Sequence, residues 1–273
     1  MSEWITLTAR TIDAPLLVPG LDPVRFVELS EHDIAALPVS AGRQPATLGD
    51  FFTVQGGRSA RVRVEWSTDR IDGLGAGMTG GELEIDGDAG SLVGAGMRGG
   101  TLRVRGSVGD EAGAAMAGGL LRIDGDAGER VGANTAGAAK GMTGGEILVL
   151  GSAGAEAGAR LRRGLIVVGA DAGRDAGRAM IAGSLFVLGS CGEGAGRGSK
   201  RGSIVACGGV TVPPTYRYAC TYQPPHVRMT LLYLVRRHGL TIDDALVESA
   251  FRRYCGDAGD PGKGEILERV HSV

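Results

Sequence analysis

The sequence predicts a mainly β fold: a right-handed parallel β-helix of about seven 19-residue coils, with a small N-terminal cap and a C-terminal helical extension. Three observations predict it. First, glycines recur in columns. Gly90, Gly109, Gly128, Gly154, Gly173 and Gly192 are separated by 19, 19, 26, 19 and 19 residues, and Gly94, Gly113, Gly132, Gly158, Gly177 and Gly196 keep the same steps. A third column, from Gly81 through Gly100, Gly119, Gly145, Gly164 and Gly183 to Gly202, closes each unit. Second, every unit carries a short alternating run such as Leu83-Glu84-Ile85, Leu102-Arg103-Val104 or Leu185-Phe186-Val187, which is a strand signal. Third, Ala89, Ala127, Ala153 and Ala172, with Met78, Met97, Met116, Met142 and Met180, recur between the glycines and suit a narrow interior. A period near 20 residues means that each unit buries its apolar face only against its neighbours. Seven coils at about 4.8 Å each make a rod about 34 Å long. A left-handed hexapeptide helix needs a coil that is a multiple of six, which 19 is not.

Residues 1–60 read as a small α/β cap, with five prolines and a short helix over Leu29–Leu37. A cap is expected because the first coil otherwise exposes an apolar end and a bare strand edge. Residues 61–212 hold the repeats. The outer positions of the first strands are charged (Glu84, Arg103, Arg122), whereas those of the next are Leu148, Val167 and Phe186. The second group is expected to be covered, by the rest of the chain or by a partner. One unit is longer by seven residues within Ala133–Gly141, an insertion expected to form a loop on one face and a candidate partner or substrate contact. Residues 213–273 form the extension. Val227, Leu231, Leu234 and Val235 have helical spacing between Pro225 and His238, and Gly239 ends that helix. Thr241 is expected to cap a second helix, with Asp243 and Asp244 in its first turn and Leu246, Ala250, Phe251 and Tyr254 as its apolar stripe, up to Gly256. The tail Gly264–Val270 reads as a strand.

Composition excludes several classes. A net charge of −2 with scattered basic residues and 4% aromatics gives no nucleic-acid footprint. No run of 18 apolar residues exists, and Met1-Ser-Glu-Trp4 opens without a basic run or apolar core, so a cytoplasmic location is expected. Cys191, Cys207, Cys220 and Cys255 show no CxxC pairing and are expected as free thiols. Gly75-Ala-Gly77-Met-Thr-Gly80 and Gly94-Ala-Gly96-Met-Arg-Gly99 match GxGxxG, but the repeat explains both and no helical pattern follows. The GxxxG within the runs is no lipid motif, since Asp88, Asp110, Glu111 and Arg130 sit among them. Asp86/Asp88 and Asp124/Asp126 lack β-roll calcium spacing and read as turn aspartates. His32, His226, His238 and His271 are far apart, and no nucleophile elbow is present. No catalytic, cofactor-binding or metal-binding residue is therefore nominated, and the chain reads as a scaffold with long flat faces. An independent β-helix binding protein, the alternative, would need aromatic or carboxylate ladders that the sequence lacks.

Three features together carry a family resemblance: the G-x-x-G-x-x-x-G repeat, the segment Leu48-Gly-Asp-Phe51-Phe52-Thr-Val54, and Tyr216-Arg-Tyr218. With these the chain resembles the C subunit of formylmethanofuran dehydrogenase, most of all the version in the bacterial formyltransferase/hydrolase complex of methylotrophs. The repeat alone is also similar to the C-terminal domain of the glutamate synthase large subunit, which normally ends a much longer chain. The resemblance implies one-carbon metabolism. A formyl group would pass from formyl-tetrahydromethanopterin to a methanofuran-type carrier and be hydrolysed to formate. It implies hetero-oligomeric partners: a metal-dependent hydrolase (the A subunit), the B subunit beside it, and a formyltransferase (the D subunit). The alternative within the family is the C subunit of a tungsten or molybdenum dehydrogenase. The family places the chemistry on other chains, so no catalytic residue is carried over.

Overall fold

A computed structural model of the chain describes residues 4–10, 12, 15–42, 44–259 and 262–270. Its dominant feature is a 13-stranded sheet. From one edge the order is Arg217–Tyr222, Phe251–Gly256, Lys263–Arg269, Arg201–Ala206, Ser184–Val187, Leu165–Val168, Glu146–Val149, Leu120–Ile123, Thr101–Val104, Glu82–Gly87, Arg61–Ser67, Ile5–Ala9 and Phe52–Gln55. The strands of the repeats pair in parallel and in repeat register. Leu83 faces Leu102, Leu102 faces Leu121, Ile166 faces Leu185, and Leu185 faces Ile204. Leu121 faces Ile147 across the longer unit, so the seven extra residues loop out and leave the register intact. A second ladder of single parallel bridges joins Ala89, Val108, Ala127, Ala153, Ala172 and Cys191, one from each successive unit. The chain thus returns to the same two lines once per repeat, as a β-helix-like stack does.

The interior follows from that register. Leu83, Leu102, Leu121, Ile147, Ile166, Leu185 and Ile204 form one buried column, beside Met78, Met97, Met116, Met142 and Met180. Burying each such side chain is worth about 1.5–3 kcal/mol. The closing glycines let the coils approach. Gly100 has φ +83°, and a Cβ there would lie 2.7 Å from the Gly81 carbonyl oxygen of the previous coil. One feature of the turns has no glycine signal. Leu92, Glu111, Arg130, Glu156 and Asp175, one per unit, all adopt φ between 58° and 65°. Such residues cost about 1–2 kcal/mol each outside glycine. Each gains an N–H bond to the next coil, for example Glu111 N–H to Glu129 O (2.8 Å) and Asp175 N–H to Glu193 O (2.7 Å).

Both ends are closed by the chain itself. At the N-terminal end, Ile5–Ala9 extends the stack in parallel with Arg61–Ser67 and pairs antiparallel with Phe52–Gln55. Buried Asp22 latches onto the first coil, accepting from Thr79 Oγ1 at 2.6 Å and Thr79 N at 3.2 Å. The helix expected over Leu29–Leu37 is shorter, Glu31–Ala35, because Ser30 and Asp33 form a capping box that sets its start. At the other end, Lys263–Arg269 adds one more parallel strand beside Arg201–Ala206. Asp257 caps the last turn by accepting from Gly198 N at 2.8 Å, and buried Tyr216 donates to Gly196 O at 2.9 Å.

The extension departs from the sequence expectation in two places. The helix Pro225–His238 forms and ends at Gly239 with φ +67°, but Val235 faces outward while Val227, Leu231 and Leu234 are buried. The second helix is only Asp244–Val247, and its cap is Asp243, not Thr241; the Asp243 carboxylate accepts from Ala245 N at 2.9 Å. Phe251–Gly256 is a strand between Arg217–Tyr222 and Lys263–Arg269. Ladder hydrogen bonds to two neighbours outweigh a helical spacing that Leu246, Ala250, Phe251 and Tyr254 satisfied by chance.

Candidate functional site

The outward residue of each strand forms one continuous column across the sheet. In order it reads Arg63, Glu84, Arg103, Arg122, Leu148, Val167, Phe186, Val205 and Leu267. The column changes character between Arg122 and Leu148. On the charged side, Arg63 donates to Glu84 (3.0 Å) and Arg105 pairs with Asp86 (2.6 Å). Arg103 and Arg122 are register neighbours, an unfavourable like-charge pair by itself. Asp124 resolves it by accepting from Arg103 Nη2 at 2.6 Å and Arg122 Nε at 2.7 Å. Burial pushes the Asp124 carboxyl up, but the hydrogen bonds from Arg122 and Arg103 outweigh it and hold the group below its usual range.

The apolar side is covered by the chain's own extension. Leu148, Val167, Phe186, Val205 and Leu267 pack under Val227, Leu231 and Leu234 of the long helix, with Leu246, Val247 and Phe251 completing the cluster. The helix fits the patch in length. Its 14 residues span about 21 Å. Five strand steps from the Arg122 strand to the Glu265 strand span about 24 Å. His226 near its start lies 3.8 Å from Glu265, while Arg122 Nη1 donates at 2.9 Å to the His238 carbonyl at its end. A cation at a helix C-terminus complements the helix dipole. Tyr233 Oη donates to Glu146 at 2.7 Å, a bond that, with some burial, raises the Tyr233 hydroxyl pKa. His238, nearly buried, places Nε2 2.9 Å from the other Glu146 oxygen but off the N–H axis. The predicted cover therefore comes from within, and the sequence left open which of the two sources it would be.

Beyond the cover, Met229 and Val235 are exposed on the long helix, and Tyr218 is 59% exposed on the edge strand Arg217–Tyr222. That strand pairs on one side only. The insertion is pinned back on itself, with Arg130 Nη2 donating to Asn134 O at 2.5 Å and Asn134 Nδ2 to Ala138 O at 2.8 Å.

The motif residues fall as follows. The segments Gly75–Gly80 and Gly94–Gly99 are turns that lead into strands, not helices. The turn aspartates serve the next coil: Asp88 accepts from Ser107 N at 2.8 Å and Asp126 from Ser152 N at 2.7 Å. Asp86 and Asp124 are held by arginines. Among the described residues no group of three or more His, Cys, Asp or Glu side chains is placed to hold a metal. His271 and residues 1–3 lie outside the described residues. All four cysteines are free, and burial pushes the Cys191 and Cys207 thiols up to about 12. No described helix is long and apolar enough to cross a membrane. Sequence reasoning missed the latching roles of Asp22 and Asp257 and the cap that Arg122 places on the long helix, since none has a local signature.

No protein-family model matches the chain. Among curated proteins it is 37% identical over 95 residues to the C subunit of the molybdenum-containing formylmethanofuran dehydrogenase 1 of Methanosarcina barkeri, covering 33% of this chain and 32% of that one. It is 35% identical over 71 residues to the C subunit of the formyltransferase/hydrolase complex Fhc of Methylorubrum extorquens, covering 26% of this chain and 27% of that one. These matches thus span about a third or less of the curated relatives' length. Among solved structures, a chain of the formyltransferase/hydrolase complex (FhcABCD) of Methylorubrum extorquens, crystallised with methylofuran, superposes with a TM-score of 0.89 at 33% identity. That match covers 97% of this chain and 100% of the other. With its stacked repeats, self-covered face and closed ends, the chain belongs to the family of formylmethanofuran dehydrogenase C subunits.

Proposed function

We propose that this chain is the non-catalytic scaffold subunit of a formyltransferase/hydrolase complex. The observation that carries the reading is the full-length likeness to a chain of such a complex. The complex would transfer a formyl group from formyl-tetrahydromethanopterin to a methanofuran-type carrier and hydrolyse it to formate. The metal-bearing hydrolase, the B subunit and the formyltransferase would be the partners, in the cytoplasm. The carrier and the pterin are assigned to no residue of this chain. We read the stack as right-handed, with about seven coils over 61–212, between a cap at 1–60 and an extension at 213–273. The physical support is economy of design. A rod whose turns are locked coil to coil by hydrogen bonds holds its outer surfaces at fixed spacing, which suits a part that positions other subunits.

The match to a molybdenum-containing dehydrogenase favours a second reading, in which the particle is a redox formylmethanofuran dehydrogenase. The test is the native mass, subunit composition and metal content of the particle that co-purifies with the chain. A large assembly with a formyltransferase and an amidohydrolase-like chain, free of molybdenum and tungsten, is expected. Stoichiometric molybdenum or tungsten selects the second reading. A lone 27.9 kDa species overturns both.

A further inference from the structure

The corner that leads into each strand changes character along the rod. In the earlier coils it is a glycine pair: Gly99-Gly100, Gly118-Gly119 and Gly144-Gly145. A Cβ at Gly99, Gly118 or Gly144 would run into the carbonyl oxygen of Thr79, Arg98 or Ala117 in the coil before. In the last three coils the first glycine is replaced, giving Arg163-Gly164, Ala182-Gly183 and Arg201-Gly202. The residues just before them are Arg162, Ile181 and Lys200. The same corner holds a cleft of 540 Å³ lined by Arg162, Arg163, Ile181, Ala182, Lys200 and Arg201, together with Gly164 and Gly183. Lys263, which faces Arg201 in the register, extends the row of cations.

No carboxylate lines this cleft, and among the described residues none pairs with Arg162, Arg163, Lys200 or Arg201. Several cations elsewhere are neutralised by carboxylates of their own face. In the glycine-rich turns Arg130 pairs with Glu111 and Glu156, Arg178 with Glu156, and Arg197 with Asp175. A concentrated, unpaired positive cleft on a chain of net charge −2 is therefore a local feature and not a bulk one.

We propose that this cleft is a docking site for an acidic peptide segment of a partner chain, lying along the rod axis in an extended, polyproline-II-like conformation. The geometry selects the ligand. The two cationic coils are two strand steps apart, about 10 Å, with apolar Ile181 and Ala182 between them. A ligand that carries several anionic groups in a row engages both coils at once. A polyproline-II chain repeats every three residues at about 3.1 Å per residue, so acids at every third position present carboxylates about 9 Å apart on one face. Guanidinium forks bind carboxylates bidentately, and the apolar middle coil of Ile181 and Ala182 packs against the peptide backbone between them. The proposal stands on this chain's own surface and does not depend on which complex it enters.

Fluorescence anisotropy on the full chain tests it, with a labelled peptide of about a dozen residues carrying glutamate at every third position. Binding is expected to weaken about tenfold between about 50 and about 300 mM salt. It should also fall about tenfold in Arg163→Gln/Arg201→Gln. Arg98→Gln, on the same corner outside the cleft, should bind unchanged. A charge-swapped variant, Arg163→Glu/Arg201→Glu, should lose the glutamate peptide and gain a lysine one. Absence of binding would overturn the proposal. So would equal binding of the glutamine version of the peptide, wild-type affinity in the double variant, or tighter binding of tripolyphosphate or single-stranded DNA of matched charge.

Discussion

The two halves of the outer strand column share backbone geometry and register, yet they are stabilised differently. From Arg63 to Arg122 the side chains are partly exposed, and the arginines pair with carboxylates of the same face, Glu84 and Asp124. Exposed pairs of that kind contribute about 0–1 kcal/mol each. From Leu148 to Leu267 every outward side chain is buried beneath the extension. Fully burying one such residue contributes about 1.5–3 kcal/mol. The lesson is that the face carrying the extension is a second core, while the charged face is a surface held in register by its own ion pairs. The boundary is one residue wide, with Arg122 on one side and Leu148 on the other, and the long helix ends there.

The sharpest way to break this comparison is to change the charge in each half. Phe186→Asp or Val167→Arg leaves an unpaired charge between the sheet and the helix, and the cost is expected to reach about 3–5 kcal/mol. Glu84→Gln or Arg103→Gln should cost about 1 kcal/mol or less. Urea unfolding midpoints of the four variants measure the difference. Comparable losses in all four would remove the distinction between the halves.

A gentler change asks whether the helix is a lid on a core or a loose strap. Leu231 is fully buried, and Leu231→Ala is expected to cost about 2–5 kcal/mol, with the spread set by how far the cavity collapses. The buried Cys207 belongs to the same cluster, and its thiol sits near 12 because of burial. It should resist a thiol reagent at neutral pH while exposed Cys220 reacts, and Leu231→Ala should speed its labelling. Rapid labelling of Cys207 in the unaltered protein would mean that the cover opens freely.

How much of this was legible in advance depends on whether a residue acts locally. The strands and their register were legible because 19-residue spacing stacks Leu83 on Leu102 and Leu102 on Leu121 whatever the loops do. The apolar switch at Leu148 was legible too, as a demand for cover, although not as the length match with Pro225–His238. What was hidden is long-range. Asp22 on Thr79 and Asp257 on Gly198 are single side chains meeting a coil 57 and 59 residues away. The left-handed turn residues Leu92, Glu111, Arg130, Glu156 and Asp175 were hidden because bonds to the next coil, and not glycine, hold them. The basic corner at Arg163 and Arg201 was visible only as part of three departures from a glycine column, with Ala182 between them, whose meaning needed the cleft they line.

The smallest expected effect lies on the boundary itself. Asp124 holds Arg103 and Arg122 together, and Arg122 in turn caps the long helix. Its folded pKa lies below the ordinary value of 3.8. A carboxylate depressed in the folded state binds fewer protons there than when unfolded, so it adds stability above its unfolded pKa and loses it as pH falls through the folded one. Asp124→Asn should therefore be less stable than the unaltered protein at pH 7. The gap should stay constant down to about pH 5, then narrow below about pH 4 and vanish once Asp124 is protonated. Urea midpoints of both proteins across that range measure it. A gap that persists undiminished at the acid end would mean that Asp124 acts through packing and not through charge. The charged half would then be a second kind of core rather than a self-paired surface.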